Sequence, residues 1–225
     1  MTPSPERIDR LQGQWWNLLH RFGADAAAIY AVFDELAARY SEPHRHYHTL
    51  EHISEMLRLI PRIGPPGTDA AALPFAVWFH DAVCDPKADD NELRSADLAS
   101  KLLKRLGVPT ETISLTVELV RNTDHRLPFG DDARIEFAIL HDADLAILGA
   151  APERYDRYAA DIRREYAWVP EEEYRIGRSK VLRAFLERPR LFITPRLFEE
   201  GEAPARENLH RELDSLVSAR RATEG

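Results

Sequence analysis

Cysteine is almost missing from this 225-residue sequence: Cys84 stands alone. An internal disulfide and a four-cysteine zinc site are thereby excluded. Glycine is sparse at ten residues, and no glycine-rich phosphate loop occurs. No apolar run approaches the roughly 18 residues that a membrane span needs. Positive charge is not in excess. Thirty Lys and Arg face 38 Asp and Glu, a formal net charge of −8. That balance argues against nucleic acid or an anionic membrane as a partner. The opening Met-Thr-Pro-Ser-Pro-Glu-Arg has no apolar core of the kind a secretory leader carries. With the lone cysteine, this sets the expectation of a cytoplasmic protein. Hairpin signals and internal repeats are missing too.

What is present reads as helix after helix. Ile8, Leu11, Trp15, Leu18, Leu19 and Phe22 recur at spacings of three and four. Asp25 is placed to cap a second helix that runs to Tyr40, and Thr49 to cap one from Leu50 to Ile60. Ser41-Glu-Pro-His-Arg breaks the pattern between them, and Gly64-Pro-Pro-Gly67 reads as a turn. Leu73 to Val83 is apolar on nearly every side, the mark of a buried central helix. Further helices are expected from Asp90 to Leu106, with Gly107 as the stop, and from Thr110 to Thr123. After a loop at 124–131, helices are expected over 133–148, 152–168 and 170–186. Thr194-Pro195 looks like a helix start, and 203–221 carries the last turns. The expectation is an all-α single domain over 1–220, with about nine or ten helices. A metal-site core covers roughly 25–150, C-terminal helices fill 151–220, and 221–225 is a frayed tail.

Three segments concentrate the chemistry-bearing residues. The first is His-Tyr-His-Thr-Leu-Glu-His at 46–52, with His44 just ahead of it. His48 and His52 are four apart and can aim two imidazoles at one point. A solvated, histidine-rich loop accounts for this stretch taken alone equally well. The second is His80-Asp81, after Phe75, Val77, Trp78 and Phe79. An ionised carboxylate there is costly unless it is paired or metal-bound. A core Asp held by backbone N–H groups is the alternative. The third is His-Asp-Ala-Asp at 141–144. Asp142 and Asp144 lie two apart, about 200° around a helix, so only one of them readily faces a given site. Periodicity favours Asp144, flanked by Phe137, Leu140, Ile147 and Leu148, and leaves Asp142 as the alternative ligand. Read together, the segments form one metal site drawn from several helices. Imidazole and carboxylate donors suit Mn, Fe, Ni, Co or Zn, with Mg also compatible, as one or two ions.

His125 is a candidate for a second metal or a substrate contact, as are Asp85 and Glu92; helix-end stabilisation and capping are their plainer readings. Arg94 and Arg45 neighbour the motif segments and are further candidates for a second metal or a substrate contact.

The order His, then His-Asp, then Asp on an all-helical chain resembles the signature of the HD superfamily of metal-dependent phosphohydrolases. The likeness extends over most of the chain, to one branch of predicted phosphohydrolases. It is carried by Glu42-Pro-His-Arg-His-Tyr-His-Thr-Leu-Glu-His52, Trp78-Phe-His-Asp-Ala-Val-Cys-Asp-Pro86, Asp90-Asn-Glu-Leu-Arg-Ser95, Asp142-Ala-Asp-Leu-Ala-Ile-Leu-Gly149 and Glu165-Tyr-Ala-Trp-Val-Pro170. The resemblance implies an HD-type helical bundle in which His52, His80, Asp81 and Asp144 ligate the metal. The Tyr47-His48-x-x-x-His52 spacing is also similar to cyclic-nucleotide phosphodiesterases. That implies proton donation to the leaving oxygen by His48, although Thr49 stands where asparagine is usual. The implied activity is hydrolysis of a small phosphate ester such as a nucleotide, with Asp81 both ligating the metal and orienting water. Two rivals stand beside it: an HD-type di-iron oxygenase, and a non-catalytic binding or sensor module stabilised by metal. The small phosphorylated substrate is the expected partner, and a homo-oligomer is left open.

Overall fold

The computed structural model describes residues 4–64, 71–123 and 134–223, with side chains to 218. Among the described residues the chain is all-helical, with ten α-helices and no strand. They are α1 Pro5–Leu19, α2 Ala26–Arg39, α3 Leu50–Ile63, α4 Ala72–Phe79 and α5 Asn91–Arg105. Then come α6 Thr110–Arg121, α7 Ile135–Leu145, α8 Pro152–Glu165, α9 Glu171–Leu186 and α10 Pro195–Thr223. Short 3₁₀ turns follow α1 at His20–Phe22 and α7 at Ala146–Gly149. No described helix is long and apolar enough to cross a membrane.

Local signals set most helix ends. The Asp25 carboxylate accepts from the Ala28 N–H at 3.0 Å, and the Thr49 hydroxyl from the Glu51 N–H at 3.3 Å. Each satisfies an N-terminal donor that the helix cannot use itself. Gly107 ends the run after α5 at φ +70, a conformation that glycine reaches without strain. Several boundaries differ from expectation, three of them as follows. Pro61 removes the hydrogen bond to the Leu57 carbonyl, yet α3 continues to Ile63. The central helix stops at Phe79 rather than Val83. From Thr194-Pro195 a single helix runs through Pro204 to Thr223, across the expected tail.

The chain divides into two compact units, Met1–Leu140 and His141–Gly225. In the first, Trp15 of α1 is fully buried. It meets Phe75, Trp78 and Phe79 of α4 edge to face, with ring centroids 5.4–6.2 Å apart. Such offset contacts suit the ring quadrupoles. The Trp15 indole N–H donates to the Ile29 carbonyl at 3.1 Å and fixes α1 on α2. Phe33 of α2 closes on Trp78 from another side, at 5.8 Å. This aromatic cluster anchors α4, the helix that delivers His80 and Asp81.

In the second unit α10 packs on the 3₁₀ turn after α7. A Cβ on Gly149 would stand 2.9 Å from the Gly201 carbonyl oxygen, so this crossing requires glycine. Arg178 of α9 forks onto Glu212 of α10 at 2.7 and 3.0 Å, and Tyr155 of α8 donates to the same carboxylate. One buried network thus ties α8, α9 and α10.

Candidate metal centre

Three donors converge in the first unit. His52 Nε2 and His80 Nε2 are 3.2 Å apart, and His80 Nε2 lies 3.1 Å from Asp81 Oδ2. All three residues offer ligand atoms within 4.8 Å of one another. Both histidines are buried, and Asp81 is about a quarter exposed at 27%. Donors that share one ion at about 2.0–2.2 Å stand about 3–3.5 Å from each other. The observed spacings therefore fit a metal ion.

Tautomer chemistry supports the fit. His80 Nδ1 lies 2.9 Å from the Val77 carbonyl, which can only accept. A neutral His80 therefore carries its proton on Nδ1 and points a bare lone pair from Nε2 at His52 and Asp81. A backbone carbonyl that fixes the far nitrogen of a histidine is the usual support of a metal ligand.

Local folding explains how these side chains arrive. His52 sits in the first turn of α3, placed by the Thr49 cap. Tyr47 is buried, and its ring stands 4.9 Å from that of His52 and 5.0 Å from that of His48. His48 lies at the mouth of α3, one quarter exposed, with Nε2 3.8 Å from Asp81 Oδ2. That is beyond hydrogen-bond range but on the same carboxylate oxygen that faces His80.

His80 and Asp81 occupy the turn that ends α4, where helix carbonyls lose their intrahelical partners. Nearly every one of these carbonyls is taken. Ala76 accepts from the His80 N–H, Val77 from His80 Nδ1, and Phe79 from the Ala82 N–H. The Tyr40 hydroxyl donates to the Trp78 carbonyl at 2.9 Å. Arg45 donates to the carbonyls of Asp81 at 2.7 Å and Ala82 at 3.3 Å. The Ser95 hydroxyl serves Val83, and His44 Nε2 serves Cys84 at 2.8 Å. Within α4 the Trp78 carbonyl is taken by Tyr40, and the carbonyls of residues 81–84 beyond it are taken by side chains from elsewhere.

Arg45 is consequently not placed as a phosphate contact. Its side chain is fully buried, and it donates to Glu42 and to the His48 carbonyl besides the two carbonyls above. Burial works against its charge, but Cys84, Tyr40, Glu42 and Asp81 outweigh this and hold its pKa above the ordinary arginine value. Arg94 is exposed on α5 and pairs with Asp90 at 3.6 Å. Glu92 lies in the first turn of α5. Asp85 is exposed and shapes its own turn, with Oδ1 accepting from the Lys87 N–H. His125 lies outside the described residues.

The carboxylates of 141–144 belong to the second unit. Asp142 is fully buried, whereas Asp144 is partly exposed. Periodicity had placed Asp144 on the buried stripe; burial of Ala143 as well shows that α7 is covered on more than one face. Asp142 accepts from the Ile193 N–H at 2.9 Å and the Thr194 N–H at 2.7 Å. It also accepts from the Thr194 hydroxyl at 2.6 Å, and His141 Nδ1 lies 3.1 Å away. Backbone N–H groups, rather than a metal, account for this buried carboxylate.

Sequence reasoning missed the carbonyl-binding roles of Tyr40, His44, Arg45 and Ser95. Their partners lie 12 to 40 positions away in the chain, and no periodicity encodes such pairs. Among known proteins, no family model, curated protein or solved structure matches the chain.

Proposed function

We propose that this protein is a divalent-metal-dependent phosphohydrolase whose metal is held by His52, His80 and Asp81. The observation that carries the reading is the convergence of two imidazole Nε2 atoms and one carboxylate oxygen, with His80 pre-set by the Val77 carbonyl. Bound there, a divalent ion supplies Lewis acidity and lowers the pKa of water towards neutrality. The rest falls to side chains of the chain. Asp81 is the one partly exposed ligand, so its carboxylate can also orient a water. His48 stands at the rim, in reach of solvent, and is the proposed proton donor to the leaving oxygen. General acid catalysis of this kind is worth about 10²–10⁴-fold. The choice of a phosphate ester as substrate rests on the resemblance to HD-type phosphohydrolases, as does Asp144 as a further ligand.

Metal analysis and a phosphatase screen over nucleotides and sugar phosphates, with Mn, Co, Ni and Mg added, test the proposal together. We expect at least one transition ion per chain and turnover of a phosphate ester. His80→Ala should abolish both, and His48→Ala should keep the metal while slowing turnover about 10²-fold or more. A folded wild-type protein that takes up no metal would overturn the site. Metal without turnover across the screen would overturn the hydrolase and leave a metal-stabilised binding module. Asp144→Ala with full metal content would remove the fourth ligand implied by the resemblance.

A further inference from the structure

We propose that Arg45 is a positioning residue of the metal centre, one guanidinium that sets the Asp81 backbone against the His48 backbone. The inference rests on the metal reading above and concerns how the site is held rather than what it binds. Arg45 Nη1 donates to the Asp81 carbonyl at 2.7 Å and to the His48 carbonyl at 3.3 Å, while Nη2 reaches the Ala82 carbonyl at 3.3 Å. Two chain segments that carry separate parts of the site thereby share one rigid donor. The guanidinium is fixed in turn from behind. Its Nε donates to Glu42 at 3.0 Å, and its Cζ stands 5.0 Å from the Tyr40 ring centre.

The residue type follows from this task. A planar fork of five N–H donors can serve three carbonyls and a carboxylate at fixed angles. A lysine ammonium at the end of a flexible stem can keep the charge but not the fork. Burial of a guanidinium largely against neutral carbonyls costs desolvation free energy. A leucine of similar bulk would avoid that cost but leave three carbonyls without this donor, so arginine also stabilises the turn. Geometry adds a second reason: a catalytic metal site needs its donors held to within a fraction of an ångström.

The test compares wild type with Arg45→Lys, using Co(II) as the probe. Apo stability is read by thermal unfolding, Co(II) affinity by competition titration, and donor geometry by the visible Co(II) spectrum. We expect Arg45→Lys to fold and to bind Co(II) about 10–100-fold more weakly, the usual effect of removing an outer partner of a metal ligand. Its visible spectrum should change as well. A merely structural arginine predicts a lower Tm with unchanged affinity and an unchanged spectrum, and that result would overturn the proposal. Should Arg45→Lys not fold, Glu42→Gln serves instead, because it loosens the guanidinium and leaves the fork in place. A smaller loss of affinity with a shifted spectrum supports the role, and wild-type values refute it. If wild type itself takes up no Co(II), the metal reading fails first and this inference falls with it.

Discussion

Two buried charged residues show how a side chain's surroundings decide its task. Both came out of the sequence as site candidates, Asp142 as the alternative ligand to Asp144 and Arg45 because it neighbours the motif segments. The structure supplies a reason other than ligand binding for each. Asp142 accepts from two backbone N–H groups and a hydroxyl at the entry to α10. Asp142→Ala would strand those donors in a buried place. We expect a loss of about 3 kcal/mol in denaturant unfolding, with the metal content of the folded protein unchanged. Loss of metal at unchanged stability would instead make Asp142 a ligand. His52, His80 and Asp81, three of the four positions that the resemblance implied, lie together.

At the scale of elements, the same small residue has opposite effects in two helical settings. Gly149 closes the 3₁₀ turn after α7, and an added Cβ would press on the Gly201 backbone. Gly149→Ala should destabilise by about 1–3 kcal/mol through overpacking. Gly177 sits in the interior of α9, exposed, where an added Cβ meets nothing within 4 Å. Gly177→Ala should stabilise by about 0.5–1 kcal/mol through helix propensity and lower chain entropy. Chemical denaturation of the two variants checks both signs. Sequence pattern found both helical segments but could not tell the glycines apart, since the difference lies in which backbone crosses each one. The early end of α4 is a similar case. Its apolar pattern runs on to Val83, yet the helix ends at Phe79, and Arg45 and Ser95 bind the carbonyls of Asp81 and Val83 beyond it.

For the whole molecule, buried phenols make stability depend on alkaline pH. Burial pushes Tyr174 up to about 12, with Glu212 adding to the rise and Arg178 opposing it. Burial also lifts Tyr155, aided by the charge of Glu212, and Tyr40, aided by that of Asp81, both well above the ordinary value of 10.0. A raised acid stays neutral in the fold while the unfolded chain ionises. The stability it contributes is therefore complete below about pH 10 and is lost as pH rises through the folded-state values. Tyrosinate absorbance should show Tyr40, Tyr155 and Tyr174 ionising late, with unfolding setting in above about pH 10. Ionisation of all three near the ordinary value, with the fold intact, would contradict the burial argument.

The sequence by itself determined the helical class and most of the helix starts. Those properties follow from periodicity of 3.6 residues, from capping side chains and from residue chemistry, all local in the chain. Tertiary structure alone decided that Arg45 turns inward to the carbonyls of Asp81 and Ala82, that Asp142 serves the entry to α10, and that His80 presents Nε2 rather than Nδ1. Each of these depends on which donor meets which acceptor in space. For Arg45 and Asp142 the partners are 36 to 52 positions distant in the chain, and for His80 the carbonyl comes within reach only where α4 gives way to a turn.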